Sequence, residues 1–316
     1  RVGLGGEALG KLESTRDGGH GARFCLRLGV LRQAPGWVIA WNCRVIASRL
    51  MASGYLHGHA ESVLRSHRTR TAANSAAYLL GRLRPGLSLL DIGSGPGSIT
   101  ADLARLVAPG RVAAMETSEE ILALTRAGVA AAGGPEVDYL VGDVHALDLP
   151  DDCFDVVHAH QVLQHVADPV QALREMVRVC RPGGVVAVRD GDYGAFAWFP
   201  ASPGLDRWLE LYRAAARATG GEPDAGRRLL GWAHAAGCRR VTASSSTWCY
   251  ADPESRTAWG EGWADRILHS AVATQLLASG LADADELAAI SAAWREWSAQ
   301  DDGWFSLLHG ELLIHV

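Results

Sequence analysis

Lysine is nearly absent from this sequence of 316 residues, since Lys11 is the only one among 30 Lys and Arg residues. Residues 1–50 hold eight Lys or Arg and three Asp or Glu, so this segment is basic in a chain whose net charge is −5. A basic arm can bind nucleic acid. The shortage of lysine instead favours the coding bias of a high-GC bacterial genome as the origin of the arginines, and we expect no nucleic-acid partner.

Long apolar runs and paired cysteines are also missing. No segment has the roughly 18 apolar residues that a membrane-spanning helix requires, so we expect no membrane partner. The six cysteines contain no C-x-x-C motif. Cys153 and Cys180 flank predicted strands, where buried free thiols are common. We therefore expect a reducing, cytoplasmic location.

The first fifty residues differ from the rest of the chain, because they contain no methionine and show no sustained helical or strand periodicity. We interpret residues 1–50 as a leader or disordered extension. Residues 51–84 are expected to form lid helices, one of them over 71–80. Residues 85–316 are expected to form the main domain, with helices that start at Ser118 and at Pro169 and a final antiparallel strand from Trp304 to Val316. Within that domain, helical insertions are expected at about 195–222 and 252–302.

A glycine-rich turn is the most informative feature of the chain. The segment 91–97 (Asp-Ile-Gly-Ser-Gly-Pro-Gly) follows the apolar run 87–90 and precedes a predicted helix that begins at Ser98. Glycines permit a tight turn and remove side chains that would keep a ligand away from the backbone. The acid in front of them suits a ligand with a cationic amino acid portion better than a pyrophosphate.

Acidic residues also mark the ends of two further predicted strands. Glu116 ends the run 111–116, and Asp143 follows the run 137–142. An acid at the first position can accept hydrogen bonds from both ribose hydroxyls of a nucleoside, and one at the second can accept from an adenine amino group. Strands that alternate with helices over about a hundred residues predict a parallel, doubly wound sheet, in which ligands bind at the carboxyl ends of the strands.

Residues 85–195 resemble the class I methyltransferases that use S-adenosylmethionine (SAM), and in particular the family of the ubiquinone and menaquinone methylases. Residues 93–97 resemble their first motif, residues 163–169 (Leu-Gln-His-Val-Ala-Asp-Pro) the stretch after the fourth strand, and residues 181–184 (Arg-Pro-Gly-Gly) the turn before the fifth. The resemblance implies SAM as cofactor and an α/β fold. Its doubly wound, Rossmann-like sheet would have seven mostly parallel strands, with helical cap insertions.

The resemblance further implies which residues bind the cofactor. Those near the strand ends are Asp91, Gly93, Ser94, Gly95, Gly97, Glu116, Thr117, Asp143, Val144, His160 and Gln161. In the predicted lid, Tyr55, His67 and Arg70 are candidates for contact with the methionine carboxylate or the sulfonium. The alternative for these three is the solvated polar start of a helix.

His158, His160 and His165 cluster around the fourth predicted strand. No cysteine or carboxylate joins them at ligand spacing, so we expect no metal. A general base is needed in methyl transfer only if the nucleophile must lose a proton. We take His160, Asp192 and Tyr193 as the candidate catalytic or acceptor-side groups.

The resemblance implies an enzyme that methylates O, N or C of a small molecule. Eight of the eleven tryptophans follow residue 200, and they either line a pocket for an apolar or aromatic metabolite or pack the inserted helices on the sheet. No Asn-Pro-Pro-Tyr-like motif follows the fourth strand, which argues against DNA as the acceptor. A SAM- or nucleotide-binding protein without transfer activity stays open as an alternative, as does a homodimer. An NAD-dependent oxidoreductase is disfavoured because the third glycine of the dinucleotide motif is absent.

A chain that begins at Met51 is expected to fold and to bind SAM as well as the full chain does, because residues 1–50 lack the periodicity of a packed element. Thermal melting and calorimetric titration with SAM, run on both chains, measure this. A large fall in melting temperature on truncation would show that the first fifty residues pack on the domain.

Overall fold

The computed structural model describes residues 70–316, and the structural statements below concern that part of the chain. The predicted lid residues Tyr55 and His67 and the predicted extension 1–50 lie outside the described residues. The helices, apart from short 3-10 turns at Leu163–His165, Tyr193–Ala195 and Ala225–Arg228, are α1 (Ala72–Ser75), α2 (Ala77–Leu80), α3 (Ser98–Val107), α4 (Glu119–Ala131), α5 (Pro169–Val179), α6 (Pro203–Ala218), α7 (Leu229–Ala235), α8 (Pro253–His269), α9 (Ala271–Ser279) and α10 (Ala284–Ser298).

The described strands form one sheet. They are β1 (Leu89–Ile92), β2 (Val112–Glu116), β3 (Asp138–Val141), β4 (Phe154–His160), β5 (Cys180–Gly191), β6 (Ala197–Phe199), β7 (Val241–Tyr250) and β8 (Trp304–His315). Their order is β3-β2-β1-β4-β5-β8, and β6 and β7 also pair with β8. The pairs from β3 to β5 are parallel, whereas β8 runs antiparallel to β5, β6 and β7.

This arrangement confirms the predicted α/β class with a mostly parallel, doubly wound sheet. The described sheet has eight strands where seven were expected. The additional strand is β6, three residues that pair with the start of β8 before the chain enters α6. The predicted final strand from Trp304 is present and antiparallel.

Six helices begin directly after a residue whose side chain accepts a backbone N–H from the first turn, which satisfies one of the donors that a helix start leaves unpaired. These N-cap residues are Thr71, Ser118, Asp168, Ser202, Asp252 and Asp283. Proline occupies the first helical position after Asp168, Ser202 and Asp252, where its missing N–H costs nothing. The predicted helix starts at Ser118 and Pro169 are therefore correct.

The single helix predicted over 71–80 is wrong, because the chain forms the two short helices α1 and α2 instead. Ala76 between them has φ −135° and ψ 21°, outside the helical region. The indole Nε1 of Trp248 on β7 donates to the carbonyl oxygen of Asn74 at 2.7 Å. A carbonyl at this position of a continuous helix would face the N–H four residues later, so the contact with β7 accompanies the break.

Side chains of the parallel strands alternate between two hydrophobic layers, as a period of two requires. Leu89 and Val156 face the layer that α1 to α4 cover. Leu90 and Val157 face the layer that α5 and α7 cover. By the same alternation Asp91 lies on the face of α1 to α4, close to the end of β1.

A third hydrophobic cluster, which we call the cap cluster, lies beyond the carboxyl end of β5. The helices α6, α8, α9 and α10 and the first residues of β8 contribute to it. Its largest fully buried side chains are Trp208, Trp263, Trp294, Trp297, Tyr212 and Phe305. The Trp208 ring meets those of Trp263 and Trp294 edge-on, with centroids 4.5 and 4.9 Å apart. These four tryptophans pack the cap, and the helices lie in the two intervals where insertions were predicted.

The longest helix among the described residues, α8, has 17 residues, and none of the described helices combines the length and apolar character that crossing a bilayer would require.

Replacing Gly128 by alanine is expected to destabilise the fold. A Cβ at this position of α4 would lie 1.8 Å from the carbonyl oxygen of Pro96 in the glycine turn, and overpacking of this kind costs roughly 1–3 kcal/mol. Gly231 in α7 is the matched control, because a Cβ there would meet no described atom within 4 Å. Its replacement by alanine should stabilise by about 0.5–1 kcal/mol. Urea denaturation measures both changes, and equal effects of the two substitutions would contradict the close packing of α4 on the turn.

Candidate functional site

Three glycines of the turn after β1 have left-handed backbone conformations, which glycine adopts without strain. Gly93, Gly95 and Gly97 have φ values of 70°, 52° and 80°. A Cβ on Gly93 would lie 2.4 Å from Cγ2 of Val162, and one on Gly97 would lie 2.5 Å from the carbonyl oxygen of Thr125. A Cβ on Gly95 would meet no described atom within 4 Å. The outer glycines therefore allow close packing, while the middle one leaves backbone open to a ligand.

Thr125 on α4 holds the turn in place. Its hydroxyl donates to the carbonyl oxygen of Gly95 at 2.6 Å, and the hydroxyl of Ser94 lies 3.1 Å away, so that Ser94 can donate to it. Thr125 is fully buried. Sequence reasoning missed this residue, although a hydroxyl on an otherwise apolar helix face was a usable signal.

Asp91 is buried beneath the turn. Its Oδ2 accepts from the hydroxyl of Thr100 on α3 at 2.5 Å, and its Oδ1 accepts from Nδ1 of His158 on β4 at 2.8 Å. The carboxylate therefore links three elements around the turn. Its predicted contact with the cofactor stays a prediction, because both oxygens already serve partners within the protein.

Glu116 at the end of β2 reaches across to the glycine turn. Its Oε1 accepts from the backbone N–H of Gly95 at 2.7 Å, and its Oε2 accepts from that of Thr117 at 3.2 Å. Burial raises the pKa of this carboxyl, although the two backbone hydrogen bonds oppose the rise. Each oxygen of an ionised carboxylate has two lone pairs, so Glu116 retains capacity for further donors.

Asp143 and Val144 follow β3 and differ in exposure. Asp143 exposes 69% of its side chain, and its Oδ1 accepts from Nδ1 of His145 at 2.6 Å. Partial burial raises the pKa of Asp143, but the hydrogen bonds from His145 outweigh this effect and lower it. Val144 is buried in the layer under α5. Asp143 thus presents an exposed acceptor beside a fixed apolar residue.

His160 ends β4 immediately beside the glycine turn, because Ile92 and Ala159 are paired in the sheet. The ring is buried, and neither of its nitrogens has a hydrogen-bond partner among the described residues. Burial, followed by the charges of Arg70 and Arg189, holds the pKa of His160 well below its usual value, so the ring is neutral at pH 7.

Gln161 continues this end of the strand in a left-handed conformation, with φ 55°. Its N–H donates to the carbonyl oxygen of Arg189 at 2.7 Å, and its side-chain amide lies 2.9 Å from Nε2 of His309. A non-glycine residue in this conformation carries strain that is common at binding sites.

Asp192 and Tyr193, the predicted acceptor-side groups, are committed to packing and pairing. The carboxylate of Asp192 is buried and ion-paired with Arg227, whose Nε lies 2.7 Å from Oδ2. The ring of Tyr193 stacks on Tyr212 with centroids 4.1 Å apart and lies 4.4 Å from the ring of Phe196. Their predicted role beside the acceptor stays a prediction.

A polar cluster that sequence reasoning missed lies on the same sheet face as His160. Arg189 on β5 donates from Nε to Glu311 on β8 at 3.2 Å, and both side chains are buried. The guanidinium carbon of Arg189 lies 4.8 Å from the ring centroid of Trp248, and that of Arg70 lies 5.4 Å from the same ring. His309 and Glu311, which interrupt the mostly apolar strand 304–315, were the available signal.

The residues present fit the SAM that the sequence implies. Gly95 offers open backbone, Glu116 retains acceptor capacity beside it, and His160 adds unpartnered ring nitrogens at the next strand end. The guanidinium group of Arg70 lies over the ring of Trp248 and places a positive charge near this edge of the sheet. Buried polar atoms without partners are uncommon and indicate an absent partner.

Comparison with known proteins gives a consistent picture. Residues 90–188 match the family described as a methyltransferase domain. An uncharacterized methyltransferase of Schizosaccharomyces pombe is 31% identical over 267 residues, which are 82% of this chain and 95% of that protein. A ubiquinone/menaquinone biosynthesis C-methyltransferase of Hahella chejuensis is 39% identical over 108 residues, 34% of this chain and 43% of that protein. A solved phosphoethanolamine N-methyltransferase of Haemonchus contortus with bound S-adenosylhomocysteine has a TM-score of 0.47 at 17% identity, covering 75% of this chain and 52% of that one.

Replacing Glu116 by alanine is expected to weaken SAM binding by about 1.5–3 kcal/mol, the usual cost of losing hydrogen bonds to a charged group. Glu119→Ala is the matched control, because Glu119 begins the next helix with 68% of its side chain exposed and pairs with Arg126 on the same helix. Isothermal titration calorimetry measures both affinities. Equal SAM affinity in the Glu116 variant and the unaltered chain would contradict the assignment.

Proposed function

This chain belongs to the methyltransferase domain family and is an enzyme that uses SAM, and from that premise we propose that it methylates a small, flat and largely apolar acceptor. The alternatives left open by the sequence, a binding protein without transfer activity and an NAD-dependent oxidoreductase, do not agree with this family.

When bound, SAM supplies a methyl group that a positively charged sulfur makes electrophilic. In this proposal Glu116 accepts hydrogen bonds from the ribose hydroxyls, and Asp143 accepts from the adenine amino group. The backbone at Gly95 lies against the cofactor where no side chain intervenes. Thr125, Thr100 and His158 do not touch it but keep the turn and the strand ends in place.

The remaining tasks of the protein are to align an acceptor and to exclude water. The location of the cap supports a role in both. Because β8 is antiparallel to β5, the first residues of β8 lie at the carboxyl end of β5, and the cap helices pack on those residues. Loops and helices at this edge are the ones that reach a bound ligand in such sheets.

The proposed chemical class of the acceptor rests on the position of two aromatic residues beside the cap cluster. Trp198 and Trp248 are only partly buried, and both pack against that cluster. Trp198 stacks on Phe305 with centroids 5.7 Å apart, and Trp248 lies 5.7 Å from His160. An apolar wall with a few placed polar groups suits a small organic ligand and is a poor match for a nucleic acid, which favours a basic surface.

The proposal places the reaction in a reducing compartment such as the cytoplasm. The four cysteines within residues 70–316 are free thiols: Cys153, Cys180, Cys238 and Cys249. Free thiols are typical of that environment.

Transfer of a labelled methyl group from SAM tests the proposal. The full chain is incubated with small-molecule, protein and nucleic-acid fractions of one cell extract, and label is expected in an organic-extractable small molecule. The Glu116→Ala variant should give roughly a tenth of that label or less at low SAM, because the loss of binding appears in kcat/KM. Label confined to protein or nucleic acid would refute a small-molecule acceptor.

A further inference from the structure

Four buried nitrogen atoms without a hydrogen-bond partner among the described residues belong to side chains around one aromatic ring. They are Nδ1 and Nε2 of His160, Nη1 of Arg189 and Nδ1 of His309. The ring of Trp248 lies 5.7 Å from that of His160 and 4.8 Å from the guanidinium carbon of Arg189. Burying a donor without a partner costs free energy. Because several such atoms lie together at the carboxyl edge of the sheet, we expect a ligand to supply the missing hydrogen bonds.

A fourth side chain, His309, completes this group on β8. Its ring lies 4.5 Å from that of Trp248 and 6.2 Å from that of His160. The Gln161 amide lies 2.9 Å from its Nε2 and fixes the orientation of the ring. Burial and the charges of Arg189 and Arg70 hold the pKa of His309 well below its usual value, so this ring is neutral as well.

The guanidinium groups of Arg70 and Arg189 act on both of these rings, and Glu311 pairs with Arg189. The charged or titratable groups that act on His160 are Arg70, Arg189, His309 and His158. Glu311 is engaged by Arg189 and by the hydroxyls of Ser244 and Ser246, while Asp91 is engaged by His158 and Thr100. An ammonium or amine group would therefore meet like charge here. An anionic oxygen would receive charge-assisted hydrogen bonds.

We propose that His160, His309, Arg189 and Trp248 form the acceptor subsite, and that it selects a planar phenol or enol whose oxygen binds as an oxyanion while its ring lies against Trp248. This inference rests on the proposed function and narrows its acceptor class. On binding, the acceptor O–H bond breaks, the electron pair stays on oxygen, and the proton passes to solvent water. The oxygen is then a nucleophile that needs no further base.

Binding of 4-nitrophenol and of 4-nitrotoluene, which lacks the hydroxyl, tests the subsite in the full chain saturated with S-adenosylhomocysteine. The phenol should bind at least about tenfold more tightly, as expected for charge-assisted hydrogen bonds. At a pH one unit below the probe's own pKa, the bound phenol should show the visible absorption of its anion. Equal affinity of the two probes, or the spectrum of the neutral phenol in the bound state, would overturn the proposal.

Two variants connect the result to the named residues. His160→Phe keeps a ring and removes both nitrogens, and the double variant Arg189→Met/Glu311→Gln removes the cation without leaving its carboxylate partner charged and unpaired. Each should reduce the preference for the phenol to roughly twofold or less, with the absorption band of the anion lost. His234→Phe is the control, because His234 is exposed on α7 and its variant should behave like the unaltered chain. Circular dichroism and thermal melting confirm that each variant is folded, and an unchanged preference in both folded variants would refute the assignment.

The proposed function and the subsite fail separately in these experiments. Methyl transfer to acceptors without an acidic hydroxyl, combined with equal binding of the two probes, would overturn the subsite and leave the function in place. Anion binding without methyl transfer to any small molecule would refute the function and leave the subsite supported.

Discussion

The buried carboxylate of Asp91 is the interaction on which the site depends. It accepts hydrogen bonds from Thr100 at the start of α3 and from His158 on β4, so a single side chain fixes the strand before the glycine turn, the helix after it and the neighbouring strand. A buried carboxylate without such partners is costly. The partners therefore determine how the turn faces the strand ends, and Glu116, His160 and the open backbone at Gly95 take their positions from it.

Helices and strands were predictable where their periodicity and their end signals depend on residues that are neighbours in the sequence. Apolar runs, the N-cap at Ser118 and the proline after Asp168 have local causes, and the corresponding strands and helices are present. The interruption at Ala76 was not predictable from neighbours in sequence. It accompanies a hydrogen bond to Asn74 from the indole of a residue that follows 174 positions later. The three-residue strand β6 likewise exists only because β8 offers it a partner.

The residues of the site also divide into those that local sequence patterns predict and those that only the tertiary structure brings together. The turn and Glu116 are adjacent to strands with clear patterns, so sequence reasoning placed them at the carboxyl edge of the sheet. Asp192 also directly follows a strand, yet Arg227 pairs with its carboxylate. No local sequence pattern predicts that partner. His309 and Arg189 reach His160 only through the order β4-β5-β8. The sequence alone therefore did not predict that side chains of β5 and β8 lie beside His160.

The tryptophans of the cap cluster pack on one another and on β8, while the glycine turn is supported by α3, α4 and β4. The two regions belong to separate hydrophobic clusters. Substitutions that reshape the cap can therefore accumulate without disturbing the cofactor turn. Enzymes of this fold can therefore change their acceptor and keep the same methyl-transfer chemistry. We expect sequence divergence in this family chiefly between residues 195 and 305.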